Sequence, residues 1–109
     1  MVKVSVLYPS GEDAKFDMDY YVNSHIKLVR DLLGAALKGV EVDEGISQPN
    51  APAPFLCVGH LFFESAADIQ AAFDIHGANL RADVPNYTNV QPMFLVSTVR
   101  VSGMSLGAS

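Results

Sequence analysis

Apolar residues recur along this chain with two different periods, and the switches between them mark out its elements. Val2, Val4 and Val6 alternate with Lys3, Ser5 and Leu7, the period of a strand, so Val2–Tyr8 is expected to be the first strand, broken by Pro9, Ser10 and Gly11. Across Phe16–Gly34 (FDMDYYVNSHIKLVRDLLG) the spacing changes to three and four. Met18, Tyr21, Val22, His25, Val29, Leu32 and Leu33 then form one helical stripe. The carboxylate of Asp17 can cap this helix, Asp19 adds negative charge at its positive end, and Gly34 stands where a left-handed residue closes it. On the opposite face Lys27 and Asp31 are spaced to pair.

Leu37–Asp43 (LKGVEVD) alternates again, and its charges suit an edge strand. Gly45–Pro54 holds three prolines and no period, so it reads as a long loop, either a lid or a tolerated insertion. Phe55–Phe63 (FLCVGHLFF) is apolar on both faces, as a central strand covered on both sides would be. Ser65 and Asp68 form a variant of the capping box. Ile69, Ala72, Phe73, His76 and Leu80 mark the inner stripe of the second helix, which Gly77 weakens by up to ~1 kcal/mol relative to Ala. Val84–Pro92 is a turn-rich connection, and Met93–Val101 the last strand.

The order β-α-β-β-α-β predicts an α+β, ferredoxin-like domain over residues 1–101: a four-stranded antiparallel sheet with two helices on one face. The other sheet face has nothing in the chain to cover it, yet the third and fourth strands carry large apolar residues on both sides. A monomer rarely exposes that much apolar surface, so the pattern predicts a homodimer whose sheets face each other. The tail 102–109 is small and polar and reads as loose.

Composition narrows the function classes. With 109 residues, half of them hydrophobic, the chain can build one packed core. The formal charge of −5 and the lack of a Lys/Arg run argue against nucleic-acid binding. No apolar run approaches a membrane span, and the alternating start does not resemble a signal peptide. A single cysteine, Cys57, has no internal disulfide partner and fits a reducing, cytoplasmic home.

His25 and His76 fall on the inner stripes of two helices that pack on the same sheet face, so both can point into the layer between helices and sheet. Histidine is the side chain best suited to move protons near neutral pH, and Tyr20, Tyr21, Tyr87 and Asp83 can donate to a ligand or orient an imidazole. The alternative for each histidine is a core residue bonded to a carbonyl. His60, in the third strand, reads as structural or as lining the sheet–sheet contact, and Cys57 as a small buried hydrophobe. No ligand spacing supports a metal site; one histidine in an apolar pocket would suffice for a haem.

Four segments carry a resemblance in this order: VKVSVLYP, the helix FDMDYYVNSHIKLVRDLLG, GHLFFES and ADVPNYTNVQP. From Val2 to about Val101 the chain resembles the EthD family, named for a protein encoded with an ether-degrading cytochrome P450 system. The resemblance implies a dimeric α+β barrel and a place in a wider group. That group holds methylmuconolactone isomerases, fungal polyketide decarboxylases or dehydratases, cofactor-free monooxygenases and haem-binding relatives. The family's D-x-D-Y-Y-x-x-x-H segment is matched by Asp17, Asp19, Tyr20, Tyr21 and His25, which makes His25 the expected acting residue. Its N-Y-T segment is matched by Asn86, Tyr87 and Thr88 at the expected rim of a pocket.

The expected function is therefore cofactor-independent acid/base chemistry (isomerisation, decarboxylation or dehydration) on a small cyclic or aromatic acid, lactone or polyketide-like substrate. His25 is the catalytic candidate, with Tyr21, His76, Asn86 and Tyr87 binding the substrate. The alternative is a non-catalytic ligand-binding or accessory protein of an oxygenase or degradation pathway.

Overall fold

The computed structural model describes residues 1–103, so most of the tail 102–109 lies outside the described residues. Four strands, β1 (Val2–Pro9), β2 (Gly39–Glu44), β3 (Phe55–Phe63) and β4 (Met93–Thr98), form one antiparallel sheet in the order β2-β3-β1-β4. This is the ferredoxin-like arrangement, with β2 at an edge and β3 inside. β2 starts two residues later than the alternation suggests because a 3-10 turn, Gly34–Ala36, finishes the first helix. β4 stops at Thr98, paired with Val2, and Val99 N–H makes a further bond to Met1 O.

The first helix is not continuous α-helix. It opens as α1 (Met18–Tyr20), widens into a π-helical turn over Tyr21–His25, and continues as α2 (Ile26–Leu33). Asp17 caps its start, accepting from Tyr20 N–H at 3.0 Å, and Gly34 closes its end at φ +55°. In the π turn Ile26 N–H reaches back five residues to Tyr21 O. That extra residue rotates the following chain, so Ile26 takes the buried place expected of Val22, and Val22 is left 47% exposed. α3 (Ala66–Asp83) runs eighteen residues from its Ser65 cap, whose Oγ accepts from Asp68 N–H at 3.2 Å.

Both helices cover the same sheet face. One half of the layer is mostly aliphatic: Val4, Leu61 and Phe63 from the sheet meet Val29, Leu33, Ile69, Ala72 and Leu80 from the helices. The other half is aromatic, built from Tyr8, Tyr21 and Tyr87 with Phe16, Ile26 and Cys57. The far sheet face carries Leu7, Val58, Phe62, Met93 and Leu95. His60 lies on that face as well, bonded to Ser5 Oγ at 2.9 Å and Asp43 Oδ2 at 3.1 Å. The proline-rich loop is tied down by its own Gln48–Ala51 turn and by Ser10, whose N–H donates to Pro54 O at 3.0 Å. Among the described residues no helix is long and apolar enough to cross a membrane.

Candidate active site

The aromatic half of the layer is assembled by a zipper between two distant segments. Asp17 N–H donates to Tyr87 O at 2.8 Å, Thr88 Oγ donates to Lys15 O at 2.6 Å, and Asn89 bonds both Lys15 N–H and Asp13 O. This fastens the start of the first helix to the connection after α3. It brings Tyr20, Tyr21 and His25 against Asp83 and Tyr87.

A cavity of about 290 Å³ opens at the seam between the aliphatic and aromatic halves. That is near the lower end of the range for small-molecule sites. Tyr8, Tyr21, His25, Leu80 and Tyr87 form its buried interior, while Arg81, Pro85, Gln91 and the 59% exposed Phe94 stand at its open side toward β4. No residue of the Gly45–Pro54 loop lines it, so that loop, pinned to Ser10, is no lid over this cavity.

His25 is held from one side. Its Nδ1 lies 2.8 Å from Asp83 Oδ2, which fixes Nδ1 as the protonated nitrogen. Its ring stacks on Tyr21 at 5.4 Å between centroids and meets Tyr87 at 4.7 Å. Nε2 has no protein partner among the described residues, yet no buried side-chain polar atom there is left unpaired; Nε2 is therefore not fully buried, and the His25 ring lines the cavity. Asp83 also accepts from Tyr20 Oη at 2.7 Å and from Asn86 Nδ2 at 2.9 Å. Burial alone would push this carboxyl up, but the bonds from Asn86, His25 and Tyr20 outweigh it and hold Asp83 below the ordinary carboxylate range.

The three phenols beside His25 are in the opposite condition. Tyr8 and Tyr87 share a hydroxyl–hydroxyl bond of 2.7 Å, and the Tyr21 hydroxyl lies directly above Gly59, where any Cβ would collide with it. Burial, reinforced by their mutual proximity, pushes all three well above the ordinary phenol range. At neutral pH they are therefore hydrogen-bond donors rather than bases. Cys57 is fully buried in the same cluster and its thiol is pushed up to about 12, chiefly by burial, so it is no nucleophile.

Of the expected site residues, the fold brings Tyr21, His25 and Tyr87 together around one space. Asn86 is exposed and does not line the cavity; it buttresses Asp83 from outside. His76 is half-buried and does not line the cavity either, because α3 turns Phe73, Gly77, Leu80 and Arg81 toward it instead. Tyr8 and Arg81 were not singled out by spacing. Tyr8 reads only as the end of a strand, and Arg81 as an ordinary basic residue near a helix C-terminus. Among the described residues no group of three His, Cys, Asp or Glu side chains gathers as a metal site would require.

Comparison with known proteins agrees with this architecture. An EthD-like protein from Ralstonia eutropha JMP134 is 35% identical, with 94% of each chain covered and a TM-score of 0.88. An EthD family protein from Bacillus halodurans C-125 is 19% identical, covering 87% of this chain and 96% of its own, at a TM-score of 0.60. A dimeric ferredoxin-like protein from an uncultured marine organism shares the fold at 10% identity, over 95% of this chain and 99% of its own, with a TM-score of 0.54. No curated protein sequence matches the chain. The family model of the EthD domain matches residues 9–91, which span the zipper, the π turn, His25, Asp83 and every tyrosine of the cluster except Tyr8, and the chain belongs to the EthD family.

Proposed function

We infer that the cavity is an active site for cofactor-independent proton transfer, with His25 as the group that carries the proton. The observation that supports this most is the division of labour on one imidazole: Nδ1 is tied to the Asp83 carboxylate, while Nε2 has no protein partner among the described residues and the ring lines a mostly apolar cavity. Nε2 takes a proton from a carbon next to a carbonyl. The C–H bond breaks, an N–H bond forms, and the electron pair moves onto the carbonyl oxygen as an enolate. Asp83 stabilises the imidazolium that results, as a carboxylate does beside a catalytic histidine. Of the three neutral phenols, the Tyr8–Tyr87 bond uses one hydrogen; the remaining O–H groups offer donors to the oxyanion in a mostly apolar site, where such donors count most. Returning the proton to another carbon isomerises the substrate, and expelling a β-hydroxide from the enolate, protonated by the imidazolium as it leaves, gives dehydration; for a 3-keto acid, loss of carbon dioxide itself forms the enolate, and a protonated His25 then delivers the proton to carbon. The substrate class is a small cyclic or aromatic acid, lactone or polyketide-like carbonyl compound.

A positioned acid/base contributes ~10²–10⁴ in rate. His25→Gln, which keeps the size of the ring but not its basicity, is expected to lower kcat/KM on any substrate found by at least about 100-fold. Equal turnover by the variant contradicts the assignment.

The working unit we infer is a homodimer formed through the outer sheet faces. Met93 and Leu95 are more than half exposed on that face, beside Leu7, Val58 and Phe62. A second copy of the same face would remove this apolar surface from water. The dimeric relative with this fold supports the same reading.

A further inference from the structure

α3 presents two flanks to the cavity. At 3.6 residues per turn, Arg81 and Asp83 stand about 160° apart around the axis, with Leu80 and Val84 between them. Asp83 holds His25 on one flank. Arg81 stands on the other, at the open side, with Pro85, Gln91 and Phe94.

Three features set Arg81 apart from a solvated surface cation. It is the one Lys or Arg among the described cavity-lining residues, and no Asp or Glu is found there, although the chain has twelve acidic residues against seven basic ones. It makes no ion pair and no side-chain hydrogen bond among the described residues, whereas Lys27 has Asp31 as its partner. Its guanidinium also lies back along the helix over Gly77: a Cβ on that buried glycine would stand 3.0 Å from Nη1. A glycine in the middle of a helix is unfavourable for the helix. Here it leaves room for the guanidinium at the cavity wall.

On the reading of this cavity as a ligand site, we propose that Arg81, seated on Gly77, is its anion anchor, and that the ligand is a flat, mostly apolar carboxylic acid. The carboxylate meets the guanidinium at the open side, where a planar fork of donors suits two oxygens. The ring lies over Leu80 and Val84, and its far end reaches His25 and the tyrosines. A chain with net charge −5 repels anions in general, so a local, unpaired cation is what selects an acid over its neutral analogue.

The test uses 2-naphthoate and its neutral amide, 2-naphthamide, titrated by their own fluorescence into wild type, Arg81→Gln and Arg81→Lys at pH 7. Wild type is expected to bind the acid about tenfold more tightly than the amide, a preference that shrinks with added salt. Arg81→Gln weakens binding of the acid about tenfold and of the amide much less, which abolishes the preference. Arg81→Lys keeps part of it, as a point charge without the fork. Melting temperatures of the variants check that folding is intact. Equal affinity of wild type for acid and amide, or a preference that survives in Arg81→Gln, overturns the anchor and leaves the reading of His25 standing. Failure of both compounds to bind wild type at millimolar concentration overturns the anchor together with the reading of the cavity as a ligand site.

Discussion

At the scale of single residues, the site depends on Asp83. Its carboxylate takes hydrogen bonds from Tyr20, His25 and Asn86 and is held below the ordinary carboxylate range. A depressed carboxyl contributes stability that is present above its unfolded pKa of about 3.9 and is lost as pH falls through the lower folded value. Asp83→Asn should therefore destabilise the protein at pH 7 by on the order of 1–3 kcal/mol, with the gap to wild type closing below about pH 4. Denaturant titrations of both proteins from pH 7 to pH 3 check this; a gap independent of pH contradicts the account of a carboxylate held by hydrogen bonds. Tyr21 and His25 were legible in the sequence because four residues of helical spacing put them on one stripe. Asp83 could be named as a group able to orient an imidazole, but its partner could not. The link between residue 25 and residue 83 runs through the Asp13–Asp17 and Tyr87–Asn89 zipper, where Thr88 and Asn89 side chains bond a backbone more than seventy residues away, a pairing that apolar spacing does not report. His76 shows the complementary failure: it shares the helical period with Leu80, yet the cavity lies toward Gly77 and Arg81.

At the scale of elements, caps and periods were the readable part. Asp17, Gly34 and Ser65 stand where the caps are observed, and β3 spans the expected Phe55–Phe63. The π turn was not readable, because apolar spacing reports which residues are buried on average and not a single extra residue in one turn. Its trace in the sequence is the pair Val22 and Ile26, both apolar, only one of which the fold buries. Gly77 is the other irregular element feature. Replacing it by Ala removes the entropic cost of a helix-interior glycine, while the new methyl meets only the flexible end of Arg81. Gly77→Ala should stabilise the fold by about 0.5–1 kcal/mol, raising the melting temperature by a few degrees. An unchanged or lower melting temperature would mean that the guanidinium contact matters more to the helix than its backbone entropy.

At the scale of the whole molecule, the topology was legible because each strand and helix has its own period and short breakers, and the right-handed crossovers leave one way to fold them. The uncovered sheet face follows from the same topology. Leu95, 54% exposed near the middle of β4 and paired with Ser5, lies on that face. If a second copy covers it, Leu95→Glu buries an unpaired carboxylate in the contact. Sedimentation at micromolar concentration should give a dimer for wild type and a folded monomer for the variant; a wild-type monomer refutes the sheet-to-sheet assembly. Nothing in the sequence separated the cavity from ordinary core. It arises where an aliphatic and an aromatic half meet without filling the seam, and side-chain volumes along a chain do not reveal such a gap.

The central claim is that His25 moves a proton between its free nitrogen and a carbon acid in the cavity. The most direct measurement is deuterium uptake in heavy water, followed by proton NMR, at carbons next to the carbonyl in a panel of unsaturated lactones, ketones and ring acids. It registers proton transfer at carbon, which isomerisation and dehydration use to form the enolate and decarboxylation uses to quench it. Wild type is expected to exchange at least one compound well above the buffer rate, with His25→Gln reduced to near that rate. Exchange by His25→Gln as fast as by wild type, or none by wild type across the panel, would contradict the account.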